Sequence, residues 1–219
     1  MNAGPRLRYT VSNKLVFNCV LGLGFQMGAP KFQVTLAKGA LGGPPVYFSL
    51  DQCKQIVNTY RMKNHRIVAG WKICERIIED MAAGRTGSYG PLNWEKETIW
   101  LPNGMALKYP DLRKAHNADK GWDEWTYQAK DMRKGIYGGL LCENIVQALA
   151  RIIVMGQMLA ISRKYRVVMT THDETVTIAK KAHGQRCIDF MAKCMSTPPA
   201  WCADIPLNCE GGFDVNYSK

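Results

Sequence analysis

The sequence lacks any Cys-x-x-Cys pair, and none of its eight cysteines has a histidine at zinc-ligand spacing. The common structural zinc sites are therefore excluded. The thiols at 19, 53, 74, 142, 187, 194, 202 and 209 are scattered and spell no disulfide framework, so they are expected to be reduced and mostly buried. Acidic residues are scarce: 18 Asp and Glu stand against 29 Lys and Arg, and none precedes Asp51. The longest apolar stretches are interrupted by Gln147, Arg151 and Gln157, so no membrane span is expected. No signal peptide is legible at the start, which sets a cytoplasmic expectation. There is no internal repeat and no low-complexity tract, and repeat architectures are set aside accordingly.

What is present is a chain of 219 residues with a hydrophobic fraction of 47%, enough for a real core in one or two packed units. A formal charge of +11 gives a long-range field that favours a polyanionic partner. Nucleic acid is the obvious candidate, although charge alone does not distinguish DNA from RNA or from anionic lipid.

Along the chain, Leu15 to Ala40 has helical potential broken by Gly22, Gly24 and Gly28, and Gly42-Gly43-Pro44-Pro45 forces a loop. Leu50 to Met81 carries apolar residues at spacings that suit two amphipathic helices, and Gly84 to Pro91 reads as a linker or mobile loop. Thr98 to Leu101 and Met105 to Tyr109 flank Pro102-Asn103-Gly104 and predict a hairpin, because Asn-Gly tolerates positive backbone angles. Asp111 to Arg133 is polar, with Trp122, Trp125 and Tyr127, and reads as a surface excursion packed by its aromatics. A long helix is expected from about Gly138 to Lys164 and another from about Ala182 to Met195. A break at Pro198-Pro199 and a final strand complete the reading. Between the long helices, Arg166 to Thr171 and Thr175 to Ile178 are strands rich in Val, Ile and Thr, leaving His172, Asp173 and Glu174 in a tight connection. An acid pair at a hairpin tip suits a metal-binding carboxylate, and it equally suits an ordinary solvated turn.

The hairpin and the segment Tyr137-Gly138-Gly139-Leu140-Leu141-Cys142-Glu143-Asn144-Ile145-Val146-Gln147-Ala148-Leu149-Ala150-Arg151 just upstream together resemble the palm of family A DNA polymerases, most closely the bacteriophage branch. Leu21-Gly22-Leu23-Gly24-Phe25-Gln26-Met27-Gly28-Ala29-Pro30-Lys31-Phe32 is similar to the end of that family's nucleotide-binding fingers helix. Pro206 to Phe213 is similar to the closing palm strand of its phage members. The matches occur in the family's order and cover essentially the whole chain. The resemblance implies an α+β fold, with a helical fingers subdomain over residues 1–90. An incomplete palm over 91–219, an antiparallel sheet with packed helices, would hold a catalytic hairpin at 166–178.

It also implies template-directed nucleotidyl transfer in DNA replication, with primer-template DNA and dNTPs as partners and Mg2+ as cofactor. Asp173 would be one of two metal-binding aspartates and Glu174 the acid beside it. His172 matches a residue near the primer terminus, with a hydrogen-bonded turn histidine as the bland alternative. Gln147 matches a residue that reaches the duplex minor groove, where hydrogen bonds test pairing without reading sequence, and otherwise reads as a satisfied core amide. Arg151, one helical turn on, suits either a DNA phosphate or an acidic partner. Leu21 and Phe25 fall at the nucleotide site, Phe25 where the family usually has Tyr. Asn13 and Phe17 stand where the family has the Arg and Lys that hold the triphosphate; Lys14, Arg8 and Arg6 are the nearby cations. The family's first catalytic aspartate lies before the fingers helix, where this chain has no acid, so a partner chain or further sequence is expected to supply it.

Overall fold

A computed structural model describes residues 19–39, 45–118 and 121–217. The fold is α+β with antiparallel sheets, as expected. It divides into two compact units, one of residues 1–87, 94–98 and 108–144, the other of 88–93, 99–107 and 145–219.

In the first unit a π-helical turn, Cys19–Leu23, leads to α1 (Ala29–Ala37), in which Pro30 sits in the first turn, where no helical N–H partner is lost. α2 (Leu50–Lys63) starts at a capping box: Ser49 Oγ accepts from Gln52 N at 3.2 Å and Gln52 Oε1 accepts from Ser49 N at 2.9 Å. Leu23, Phe32, Leu36, Cys53 and Val57 are buried together in the core that joins these elements, and full burial of each large apolar side chain contributes about 1.5–3 kcal/mol. Asn64 alone separates α2 from α3 (His65–Ala82), its Nδ2 donating to Tyr60 O at 2.9 Å. Trp71, Cys74, Ile77, Ile78 and Met81 form the buried stripe of α3, at the spacing that places side chains on one helical face.

The stretch read as a loop over Gly84 to Pro91 instead contains β1 (Gly87–Tyr89), which opens a four-stranded meander with β2 (Leu92–Glu95), β3 (Thr98–Trp100) and β4 (Ala106–Lys108). The positive angle at Gly90, φ 56°, permits the first turn. The expected Asn-Gly hairpin joins β3 to β4: Gly104 has φ 80° and Leu101 N donates to Met105 O at 2.8 Å. The polar excursion at Asp111 to Arg133 is a three-stranded antiparallel sheet, β5 (Arg113–Asn117), β6 (Trp122–Ala129) and β7 (Met132–Gly135). Its own pairings hold it, including Asn117 Nδ2 to Glu124 Oε1 at 2.7 Å and Arg133 Nη1 to Asp111 Oδ2 at 2.6 Å.

α4 (Gly138–Ser162) is the long helix, and the division between units falls within it. By length and composition, with a mean hydropathy of 1.7, it is long and apolar enough to cross a membrane, so its polar residues do not interrupt it as expected. Core helices meet the same standard. In the second unit β8 (Arg166–Thr171) and β9 (Glu174–Ile178) form a two-stranded sheet, followed by α5 (Gly184–Met195). Thr177 Oγ1 on β9 meets Met191 Sδ of α5 at 3.1 Å, and Gln157 Nε2 of α4 donates to Met195 O at 2.7 Å. The expected closing strand does not form: residues 206–217 carry no regular structure, and Phe213 lies across Gly184, where a Cβ would meet its ring at 2.8 Å. Among the described thiols only Cys53, Cys74 and Cys187 are buried, while Cys142, Cys194, Cys202 and Cys209 are half-buried, fewer buried than expected.

Candidate functional site

The register Thr171↔Glu174 leaves only His172 and Asp173 in the connection between β8 and β9, so Glu174 is a strand residue rather than a turn residue. His172 takes the left-handed conformation at φ 52°, which closes so short a turn at some backbone cost. Both His172 and Asp173 are exposed, which leaves the Asp173 carboxylate in water. Glu174 is half-buried, and its Oε2 accepts from Tyr217 Oη at 3.0 Å. Thr175, the next residue, is buried and its Oγ1 has no hydrogen-bond partner. A bulge between Val167 and Met169 puts one extra residue into β8 below the tip.

Magnesium takes near-octahedral oxygen ligands. Among the described residues no three His, Cys, Asp or Glu side chains gather as a metal cluster. Asp173 offers one carboxylate and Glu174 is shared with Tyr217, so the residues present do not complete a magnesium site.

Gln147 and Arg151 lie four residues apart on α4, hence on one face. Both are exposed, which rules out the core-amide alternative for Gln147. Arg151 has no ion pair among the described residues, so the acidic partner it was offered is not there. The second unit therefore holds Gln147, Arg151, His172, Asp173 and Glu174.

Leu21 and Phe25 belong to the first unit and line one cavity of about 250 Å³ with Gln26, Lys31, Tyr137 and Glu143. Gln26, held at φ 69°, accepts from Gly139 N at 2.8 Å through Oε1, and Trp71 Nε1 donates to Gly24 O at 3.0 Å. The glycine pair is explained by this packing. A Cβ on Gly139 would meet Gln26 Cβ at 2.5 Å, and one on Gly138 would collide with Trp71 O. Asn13, Phe17, Lys14, Arg8 and Arg6 lie outside the described residues.

With this geometry in view, comparison with known proteins finds the chain 29% identical over 219 residues to the DNA polymerase of Bacillus phage SP02. The chain is related to a phage DNA polymerase. The match takes in 91% of this chain but only 31% of that polymerase, so the chain spans about a third of its relative's length. No protein-family model matches, and no solved structure does.

Other chemistry-bearing residues had little or no sequence signal. Lys31 brings a cation to the Phe25 cavity from within the fingers-like motif. Tyr217 meets Glu174 from 43 residues away, a separation that no local pattern encodes. Cys142 on α4 accepts a hydrogen bond from the Cys74 thiol of α3, which draws its pKa down to about 7 against an opposing push from burial. The Cys74 thiol moves the other way, through that same bond and its own burial. Burial raises Tyr109 to about 12, although Asn144 Nδ2 donates to its hydroxyl at 3.1 Å.

Proposed function

We propose that the chain is the C-terminal fingers and palm part of a family A DNA polymerase of the bacteriophage branch, working in DNA replication in the host cytoplasm. The observation that carries this reading is the two-residue turn that sets Asp173 in solvent at the tip of a β-branched hairpin. It occurs in a chain 29% identical to a phage DNA polymerase. Residues 1–90 are the fingers and 91–219 the palm. Asp173 supplies one carboxylate toward Mg2+, and the remaining acid comes from sequence or a partner chain beyond these residues. Glu174 stands beside it, steered by Tyr217. Exposed Gln147 and Arg151 face primer-template DNA, His172 meets the primer end, and Leu21 and Phe25 take the dNTP with Lys31 as the nearby cation.

Primer extension in magnesium tests this, with wild type beside Asp173→Ala, each alone and mixed with a fragment carrying the family's first aspartate strand. Synthesis that depends on Asp173 and appears only in the mixture is the expected outcome. The second reading is a non-catalytic DNA-binding or structural remnant, favoured by the incomplete ligand set and by Asn13 and Phe17 where triphosphate-binding cations are expected. Absence of synthesis in every mixture, with DNA binding retained, would select it.

A further inference from the structure

Between Asp51 and Glu75 the chain carries Lys54, Arg61, Lys63, Arg66, Lys72 and His65 and not one acidic residue. This stretch is most of α2 and the first half of α3, two helices that meet at a bend at Asn64. Arg61, Lys63, His65 and Arg66 lie one to three residues from Asn64, at the α2–α3 tip. Lys63, His65 and Arg66 are exposed, and among the described residues none of the three has an ion-pair partner. Lys54, at the far end of α2, is already paired with Asp51 at 3.0 Å.

Stability does not account for this cluster. Cations in the last turn of α2 suit the negative end of the helix dipole, but His65 and Arg66 open α3, at its positive end, with no acid in that turn. Four cationic or titratable side chains within six residues repel one another, and an anion outside the chain relieves both costs. Arg61 is held in place, its guanidinium 5.8 Å from the centroid of the buried Trp71 ring and its Nε without a hydrogen-bond partner.

We propose that the α2–α3 tip is a sequence-independent contact surface for the phosphate backbone of DNA, built from residues other than those of the acidic turn and of the Phe25 cavity. The proposal rests on the polymerase reading, which supplies DNA as the polyanion. Beside its cations the tip carries Asn58 and Thr59, an amide and a hydroxyl of the kind that serve phosphate oxygens. An anionic membrane surface fits less well, because a helix lying in lipid presents a broad apolar face. Here the apolar stripes of α2 and α3 are spent on the core, leaving Met62 and Ile67 as the exposed apolar side chains near the bend.

The test measures anisotropy of a fluorescein-labelled oligonucleotide and of its duplex, titrated with the full chain over a range of salt concentrations. Wild type is compared with Lys63→Gln/Arg66→Gln. The double variant is expected to weaken binding about tenfold at low salt and to reduce the log–log salt slope by about two, equally for different sequences. Circular dichroism and melting unchanged from wild type would show that it still folds. A double variant that binds with wild-type affinity and slope overturns the tip and leaves the polymerase reading standing. Wild type that binds no DNA at low salt overturns both. Tip-dependent binding to phosphatidylserine vesicles in preference to DNA overturns the proposal in favour of a membrane surface.

Discussion

Thr175 shows how much a single hydroxyl decides at the hairpin. Its Oγ1 is buried without a partner, so it loses hydration and gains nothing in return. Thr175→Val keeps the shape and the β-branching, and is expected to stabilise the chain by about 0.5–1 kcal/mol in urea denaturation; a loss of stability would mean that the hydroxyl has a partner after all. Cys142 gives the pH dependence. Its pKa in the folded chain is about 7 against 9.0 ordinarily, so its contribution to stability is complete above pH 9 and is lost as pH falls through 7. Cys74 is shifted upward and acts in the opposite sense, its contribution lost as pH rises past 9.0. Iodoacetamide should modify Cys142 with a midpoint near pH 7, and Cys74→Ala should move that midpoint up toward 9.0, since the Cys74 hydrogen bond is the largest cause of the shift. Asp173, His172, Gln147 and Arg151 could all be singled out from sequence. The Tyr217 hydrogen bond to Glu174 could not, because it depends on how a segment without regular structure crosses the unit.

Among the elements, legibility followed the strength of the local pattern. β8 and β9 were plain because Val167, Val168, Val176 and Ile178 are β-branched residues flanking a turn. The bend at Asn64 fell between two helices with clear apolar stripes. The β5–β7 sheet was missed because Arg113, Lys114, His116, Asp123 and Glu124 interrupt any apolar alternation, and cross-strand polar pairs such as His116 with Asp123 at 3.0 Å stand in for it. Conversely, residues 206–213 looked strand-like by family pattern, yet no neighbouring strand pairs with them among the described residues. The start of α4 is where an element is most exposed to mutation. Gly139→Ala would force its new methyl against Gln26 and the Phe25 carbonyl, 2.8 Å from the Cβ position. A loss of about 1–3 kcal/mol is expected, whereas Gly156→Ala, with nothing within 4 Å, should be neutral or stabilising in the same melt.

At the scale of the whole molecule, the chain spans 31% of the phage DNA polymerase to which it is similar. Only 17% of the most apolar window of α4 is buried, and Val146 and Leu159 are 49% and 58% exposed. Apolar surface of this kind ordinarily meets another surface. The purified chain is therefore expected to self-associate as its concentration rises in sedimentation velocity. A monodisperse monomer at every concentration would contradict this. The bulge at Val168 carries a consequence for inheritance. Because Val168 is the one β8 residue with no partner on β9, losing its codon would leave every cross-strand pair from Arg166↔Ile178 to Thr171↔Glu174 matched, and His172 and Asp173 on the same faces, while removing the local kink. A one-codon deletion would therefore be tolerated at Val168 more readily than elsewhere in β8, a genetic signature that a substitution screen of the tip would never reveal.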